Sequence, residues 1–254
     1  FQLMKVDIDK AGDKANWQSV IPARDDIKLE GIDLFNDYLV YQEREMGQSK
    51  LIARDLKTGK ELPLSFNDSA YTIGTYGNND IDSSTLRVYY TSMTTPGSSY
   101  DVDLATGDKK LLKQQAVLGD FDADNYASER IFVTARDGIK VPVSLVYRKD
   151  AFKKDGTNPL LQYGYGSYGA TMDPTFSSTR LSLLDRGFVF AIAHVRGSQM
   201  LGRPWYEDGK LLTKKNTFND FVDVTKALVS QKYGAKDEMH GCCGTVCRCS
   251  NNDA

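Results

Sequence analysis

Two turns of nearly the same composition lie 48 residues apart in this chain: Asp55-Leu56-Lys57-Thr58-Gly59 and Asp103-Leu104-Ala105-Thr106-Gly107. A third segment, Val6-Asp7-Ile8-Asp9-Lys10-Ala11-Gly12, has the same order of acid then glycine, offset by a residue or two. Each glycine is expected to supply the positive φ of a hairpin turn. Short β-rich runs flank the turns at Tyr38–Gln42, Lys50–Arg54, Arg87–Thr91 and Ser99–Leu104. Four short strands per unit, recurring every 40 to 50 residues or so, is the pattern of a β-propeller blade. A closed ring takes about four to eight blades. Residues 1–118 therefore predict the blades of a partial β-propeller, or an open sheet with a bare edge. A few unrelated hairpins are the alternative, because Asp-Leu-x-Thr-Gly is a common turn.

Residues 119–129 are acidic and polar and read as a linker. The pattern then changes. Ile131–Ala135 and Val141–Tyr147 alternate as strands around Arg136-Asp137-Gly138-Ile139, a hairpin turn. Asn158–Tyr163 reads as a buried strand. Phe176–Arg186 reads as a helix stopped by Gly187. Phe188–Val195 is continuously apolar, as a central parallel strand is. Asn216–Gln231 places Phe218, Phe221, Val222, Thr225, Leu228 and Val229 on one helical stripe, with Thr217 as cap residue. Strand and helix alternate, so residues 130–240 are expected to be α/β.

Charge and cysteine usage narrow the function classes. The net charge of -2 gives no electrostatic case for nucleic acid or an anionic membrane. No apolar run reaches the roughly 18 residues that span a bilayer. All four cysteines lie at or after position 242. A disulfide-built core is therefore not expected, and a reducing, cytoplasmic setting is. The chain begins at Phe1 with no secretory pattern and no initiator Met, so its true N-terminus is expected elsewhere.

The candidate chemistry begins at Tyr163-Gly164-Tyr165-Gly166-Ser167-Tyr168-Gly169, directly after a strand. A tyrosine hydroxyl on a glycine-permitted loop at the C-terminal end of a strand can donate to a developing oxyanion. A tight turn with aromatic packing would look the same.

The longer context is more specific. Tyr163–Ala170, then Ser178–Gly197, then Pro204–Phe221, together with the strand pair from Arg130 to Asp150, resemble the prolyl oligopeptidase family, and its oligopeptidase B branch most. The resemblance covers about residues 128–235. It implies an α/β hydrolase (partial) preceded by β-propeller blades (partial). It also implies a cytoplasmic serine peptidase that needs no cofactor and hydrolyses short peptides after Arg or Lys. Tyr165 matches the family tyrosine of the oxyanion hole. Asp173 matches the first of two aspartates that bind a basic residue at the second substrate position. The second of them is Thr175 here, which puts that preference in doubt. His194, in His194-Val195-Arg196-Gly197, ends a strand and is not expected to be catalytic.

The family nucleophile lies in Gly-Gly-Ser-x-Gly-Gly shortly after the match to Tyr233-Gly234-Ala235, and its Asp and His lie further downstream. No serine between Ala235 and Ala254 has that setting; Ser250 is followed by two asparagines. The 254 residues are expected to be inactive by themselves. Residues 241–254 read as an aberrant Cys-rich tail that follows a shift of frame near Met239–Gly241. Zinc held by His240, Cys242, Cys243, Cys247 and Cys249 is the other reading, and a non-catalytic peptide-binding module a third. The expected partners are short basic peptides. Without the later strands, Phe188–Val195 is expected to be partly uncovered.

Overall fold

The computed structural model describes residues 1–244 and the backbone of Ser250–Asn251. The first part contains two four-stranded antiparallel meanders. One is β3 (Ile27–Leu34), β4 (Tyr38–Glu45), β5 (Gln48–Asp55) and β6 (Glu61–Leu64); the other is β7 (Tyr71–Thr75), β8 (Thr85–Ser92), β9 (Ser98–Asp103) and β10 (Lys109–Gln114). A short pair, β1 (Leu3–Lys5) and β2 (Gln18–Ile21), precedes them. The inward residues of the two meanders share one core, with Val40, Leu51 and Ala53 from the first and Ile73, Leu86, Val88 and Val102 from the second. This is the blade pattern, with the repeat at the same corner of each blade.

Side-chain chemistry explains that corner. Asp55 Oδ1 accepts from the Lys57 and Thr58 amides, each at 2.8 Å, and Asp103 Oδ1 does the same for Ala105 and Thr106 at 2.9 and 2.8 Å. Gly59 and Gly107 follow at φ 73° and 80°, which a Cβ would penalise. The segment before them departs from the expectation. Ile8–Lys10 forms a single 3-10 turn between β1 and β2, Gly12 is not in the left-handed region, and Asp13 caps Ala15 instead.

The second part is one mixed sheet in the order β11 (Tyr126–Thr134), β12 (Lys140–Arg148), β14 (Val189–Ala193), β13 (Leu160–Gly164), β15 (Met239–Cys243) and β16 (Ser250–Asn251). β13 runs parallel to both β14 and β15. The helices are α1 (Ser178–Leu184), α2 (Arg203–Glu207) and α3 (Lys215–Ser230). Period-2 alternation splits the faces. Val141, Val143, Leu145, Val189, Ala191 and Ala193 pack in one core with Val224 and Leu228 of α3; Val146 and Ile192 pack with Leu184 of α1 on the other side.

Four expectations are corrected, the third only in part. The sheet starts inside the 119–129 segment, because Tyr126–Glu129 pair with Leu145–Arg148 and Tyr126 is buried. Thr217 is no cap: Lys214 is, and Thr217 is a buried residue of the first turn whose hydroxyl donates to the Arg196 carbonyl at 2.7 Å. β14 lies between β12 and β13 with Val189, Ala191 and Ala193 fully buried, so it is covered at those positions, while Phe188 and Phe190 stay partly exposed as expected. Finally, Gly241–Cys243, the start of the expected tail, continue the strand from Met239 in register with Leu160–Gly164. Cys247, Cys249 and the Ser250 side chain lie outside the described residues.

The two parts touch along β4, β7 and β8. Met93 packs in the core of α1, the Ser69 hydroxyl donates to the Ser128 carbonyl at 2.9 Å, and Arg130 donates to the Met46 carbonyl. Among the described residues no helix is long and apolar enough to cross a membrane.

Candidate active site

The parallel strands β14, β13 and β15 end together, and the loop after β13 crosses their C-terminal ends. Tyr165 opens that loop half-buried. A Cβ built on Gly244, the residue after β15, would stand 3.0 Å from a Tyr165 ring carbon and 3.2 Å from the Tyr163 hydroxyl. Both tyrosines therefore face the end of β15, and Gly244 donates its amide to the Gly164 carbonyl at 2.9 Å. The Tyr165 ring packs on Gly244 and the Tyr163 hydroxyl lies beside it, and a tyrosine hydroxyl at the strand ends can donate to negative charge that develops above them.

The loop is fixed from beneath. Gly166 and Gly209 press against Arg196 and Gly197 so closely that a Cβ on any of the three glycines would collide with backbone, and Gly197 has φ 94°. Lys214 donates to the Gly166 carbonyl and to Ser167 Oγ at 2.9 Å. Arg196 anchors the turn after β14. It pairs with Asp220, a fully buried carboxylate of α3, and with Asp137 at 2.6 Å. Burial opposes the charge on Arg196, but the two carboxylates outweigh burial and raise its pKa. Gln162, also fully buried, donates to the Phe221 carbonyl at 2.9 Å and accepts from Thr225. These contacts tie β13 to α3 and set the height of the loop.

His194 is within 2.8 Å of Ser144 through Nε2. The distance suits a nucleophile and its base, but the burial does not. Ser144 is 1% exposed and His194 3%, so no substrate reaches them. Burial first, then the charges of Arg130 and Arg44, push the imidazole down to about 3. His194 is a neutral structural residue that ends β14.

Asp173 lies further along the same loop, where that loop docks on the blades. Arg44 of β4 donates to both its oxygens, at 2.8 and 3.3 Å, and is itself 5% exposed and bonded to Glu30 at 3.0 Å. Thr72 donates to the Pro174 carbonyl and the Phe176 amide donates to Thr91. Thr175 is exposed. The structure thus places Tyr165 at the strand ends and Asp173 at the blade interface, on one loop. Sequence reasoning missed Arg44, Lys214 and the Arg196–Asp220 pair. Arg196 and Asp220 lie 24 positions apart, and nothing in the sequence names them as partners.

Among the described residues no three His, Cys, Asp or Glu side chains gather as metal ligands. Cys247 and Cys249, needed for the zinc reading, are outside those residues.

Comparisons with known proteins agree with this layout. Residues 1–115 match the family described as "Prolyl oligopeptidase, N-terminal beta-propeller domain", and residues 174–244 match "Prolyl oligopeptidase family". The second match runs through β15, so the resemblance extends past the point where the frame was expected to shift. The chain is 47% identical over 241 residues to dipeptidyl aminopeptidase BI of Pseudoxanthomonas mexicana, covering 94% of this chain and 33% of that one. It is 35% identical over 240 residues to protease 2 of Moraxella lacunata, covering 94% and 34%. Oligopeptidase B from Leishmania major superposes with a TM-score of 0.79 at 35% identity, over 88% of this chain and 32% of that one. The chain spans about a third of the length of the relatives it matches.

Proposed function

The chain belongs to the prolyl oligopeptidase family of serine peptidases, and we propose that it serves in the hydrolysis of short peptides after Arg or Lys, by acyl transfer through a Ser-His-Asp triad. In this reading residues 1–118 are propeller blades that cap the site, and residues 130–240 are the first part of the peptidase domain. The protein acts in the cytoplasm, on peptides, with no nucleic-acid or membrane partner. The observation that carries the reading is Tyr165 over the shared C-terminal end of β13 and β15, beside Gly244. Tyr165 is the oxyanion donor. The 254 residues hold the donor and its scaffold but no serine in a Gly-Gly-Ser-x-Gly-Gly setting, so by themselves they do not turn over peptide.

The test is a hydrolysis assay on the protein isolated from its source, with aminomethylcoumarin peptides ending in Arg, Lys, Pro or Glu. The recombinant 254-residue chain is run beside it. Release after Arg and Lys that a fluorophosphonate blocks supports the reading. No release from any peptide, or release that the fluorophosphonate leaves intact, overturns it. The recombinant chain is expected to release nothing and to take no fluorophosphonate label.

The other reading is a non-catalytic peptide-binding module, which the Arg44 contact weakens because the Asp173 carboxylate is already neutralised within the fold. Peptide binding without turnover in the isolated source protein would select it.

A further inference from the structure

Between the Asp173 loop and β14 lies a pocket of about 300 Å³, walled by Tyr163, Met172, Phe190 and Ile192, with Asp173 and Arg180 at its rim. The first four give it an apolar body. Its two charged groups are in different situations. Asp173 is neutralised by Arg44 through both oxygens, and attraction for a second cation is correspondingly weak. Arg180 of α1 is held in place without a carboxylate. Its Nη1 donates to the Thr175 carbonyl at 2.9 Å, and its guanidinium carbon lies 4.2 Å from the centre of the Phe190 ring. The ring face and the carbonyl orient the fork and leave further N–H donors toward the pocket. Burial pulls the Arg180 pKa down to about 10, which still leaves it charged at neutral pH. A desolvated, oriented guanidinium on an apolar pocket is a bidentate receptor for a planar anion.

We propose that this pocket is a carboxylate-binding subsite, with Arg180 as the receptor for an acidic side chain or a terminal carboxylate of the peptide. The proposal rests on the reading of the chain as one that takes peptides, and it names the ligand class of one subsite. It reverses the charge preference that Asp173 would give if its carboxylate were free. The apolar walls receive the methylenes of a Glu side chain, and Tyr163 connects the pocket to the strand ends where Tyr165 lies.

The experiment is calorimetric titration of the 254-residue chain with three dipeptide amides of equal size: N-acetylglutamyl-alanine amide, N-acetylglutaminyl-alanine amide and N-acetyllysyl-alanine amide. The Glu peptide is expected to bind at least about tenfold tighter than the Gln peptide, a difference that weakens as salt rises. Arg180→Met is expected to bring the ratio to about one, and Arg180→Lys to keep part of it. Equal affinity for Glu and Gln, preference for the Lys peptide, binding of none of them, or a Glu preference that survives Arg180→Met overturns the proposal. Should Arg180→Met fail to fold, the Arg180→Lys ratio and the salt dependence decide alone. Turnover is not read here. A source protein that hydrolyses after Arg while this chain shows no carboxylate preference overturns the subsite alone; a carboxylate preference without turnover in the source protein overturns only the peptidase reading.

Discussion

Arg44 on β4 holds both carboxylate oxygens of Asp173, a residue 129 positions away, at 2.8 and 3.3 Å. The pair bolts the loop after β13 to the blades. Arg44 is nearly buried, so breaking the pair strands a charge that water cannot reach. Asp173→Asn, which leaves the buried Arg44 charge without this partner, is expected to destabilise the chain by about 3 kcal/mol, and the Arg44→Met, Asp173→Asn double variant by less than the sum of the singles. Urea unfolding of the four proteins measures this. Additive losses would mean that the two side chains do not interact.

Freeing Asp173 has a second effect. In Arg44→Gln the carboxylate has no cation beside it, and N-acetyllysyl-alanine amide is expected to bind several-fold more tightly than to the unaltered chain. Calorimetry at low salt reads the change. An unaltered affinity would show that the Asp173 carboxylate does not face the peptide.

His194 makes stability depend on pH. Its pKa is near 3 when folded and 6.5 in the free side chain. Below pH 6.5 the unfolded chain takes up a proton that the folded chain refuses. Stability present above 6.5 is therefore lost as pH falls toward the folded value, by about 1.4 kcal/mol per unit. At pH 5 the loss amounts to about 2 kcal/mol. His194→Gln is expected to remove this slope between pH 7 and 5 whatever its effect at pH 7, as urea midpoints at several pH values would reveal.

Gly197→Ala tests the packing below the loop. A methyl there meets the carbonyls of Gly166 and Gly209, and φ is 94°. Strain and overlap together are expected to cost about 3 kcal/mol. Ala193→Gly, a deletion in the neighbouring strand, is expected to cost less. Thermal melts followed by circular dichroism would rank the two.

With Tyr165 in the proposed oxyanion role, Tyr165→Phe, carried by the protein in its source, is expected to lower kcat for Arg peptides by about a hundredfold or more and leave KM nearly unchanged, because a donor in that role serves only the developing oxyanion. A rise in KM at constant kcat would make Tyr165 a binding residue instead.

Much of this fold is legible in the sequence where one physical rule dominates. β14 is legible because its buried residues form a continuous apolar run; α3 is legible as a helix, but its buried face is Thr217, Asp220, Val224 and Leu228, and Val222 of the expected stripe is exposed. The blade turns show because an aspartate and a positive-φ glycine are chemically hard to replace. Strand β10 is exposed at every residue and carries no alternation, and β3 is interrupted by a bulge near Gly31. Neither shows in the residue pattern. β15 is hidden by composition: Met239-His240-Gly241-Cys242-Cys243 has no β-branched residue, and its strand character comes from β13 alongside it. Tyr165 is visible because it follows a strand within a long, specific motif. Arg44 is not, since the partner that gives it meaning is half a chain away. Arg180 is likewise hidden, because in sequence it is one more basic residue on a short helix.

Strand β13 has one neighbour drawn from residues 189–193 and the other from residues 239–243. During synthesis the blades and the β11–β12 hairpin leave the ribosome first, and each can fold as a local unit. β13 emerges long before β15 and waits with one edge unpaired while some 75 further residues are made. Protein made in the cell therefore passes through a stage in which the strand that will carry the tyrosine loop offers its backbone to any passing strand, and that stage is the one at which a chaperone has most to contribute.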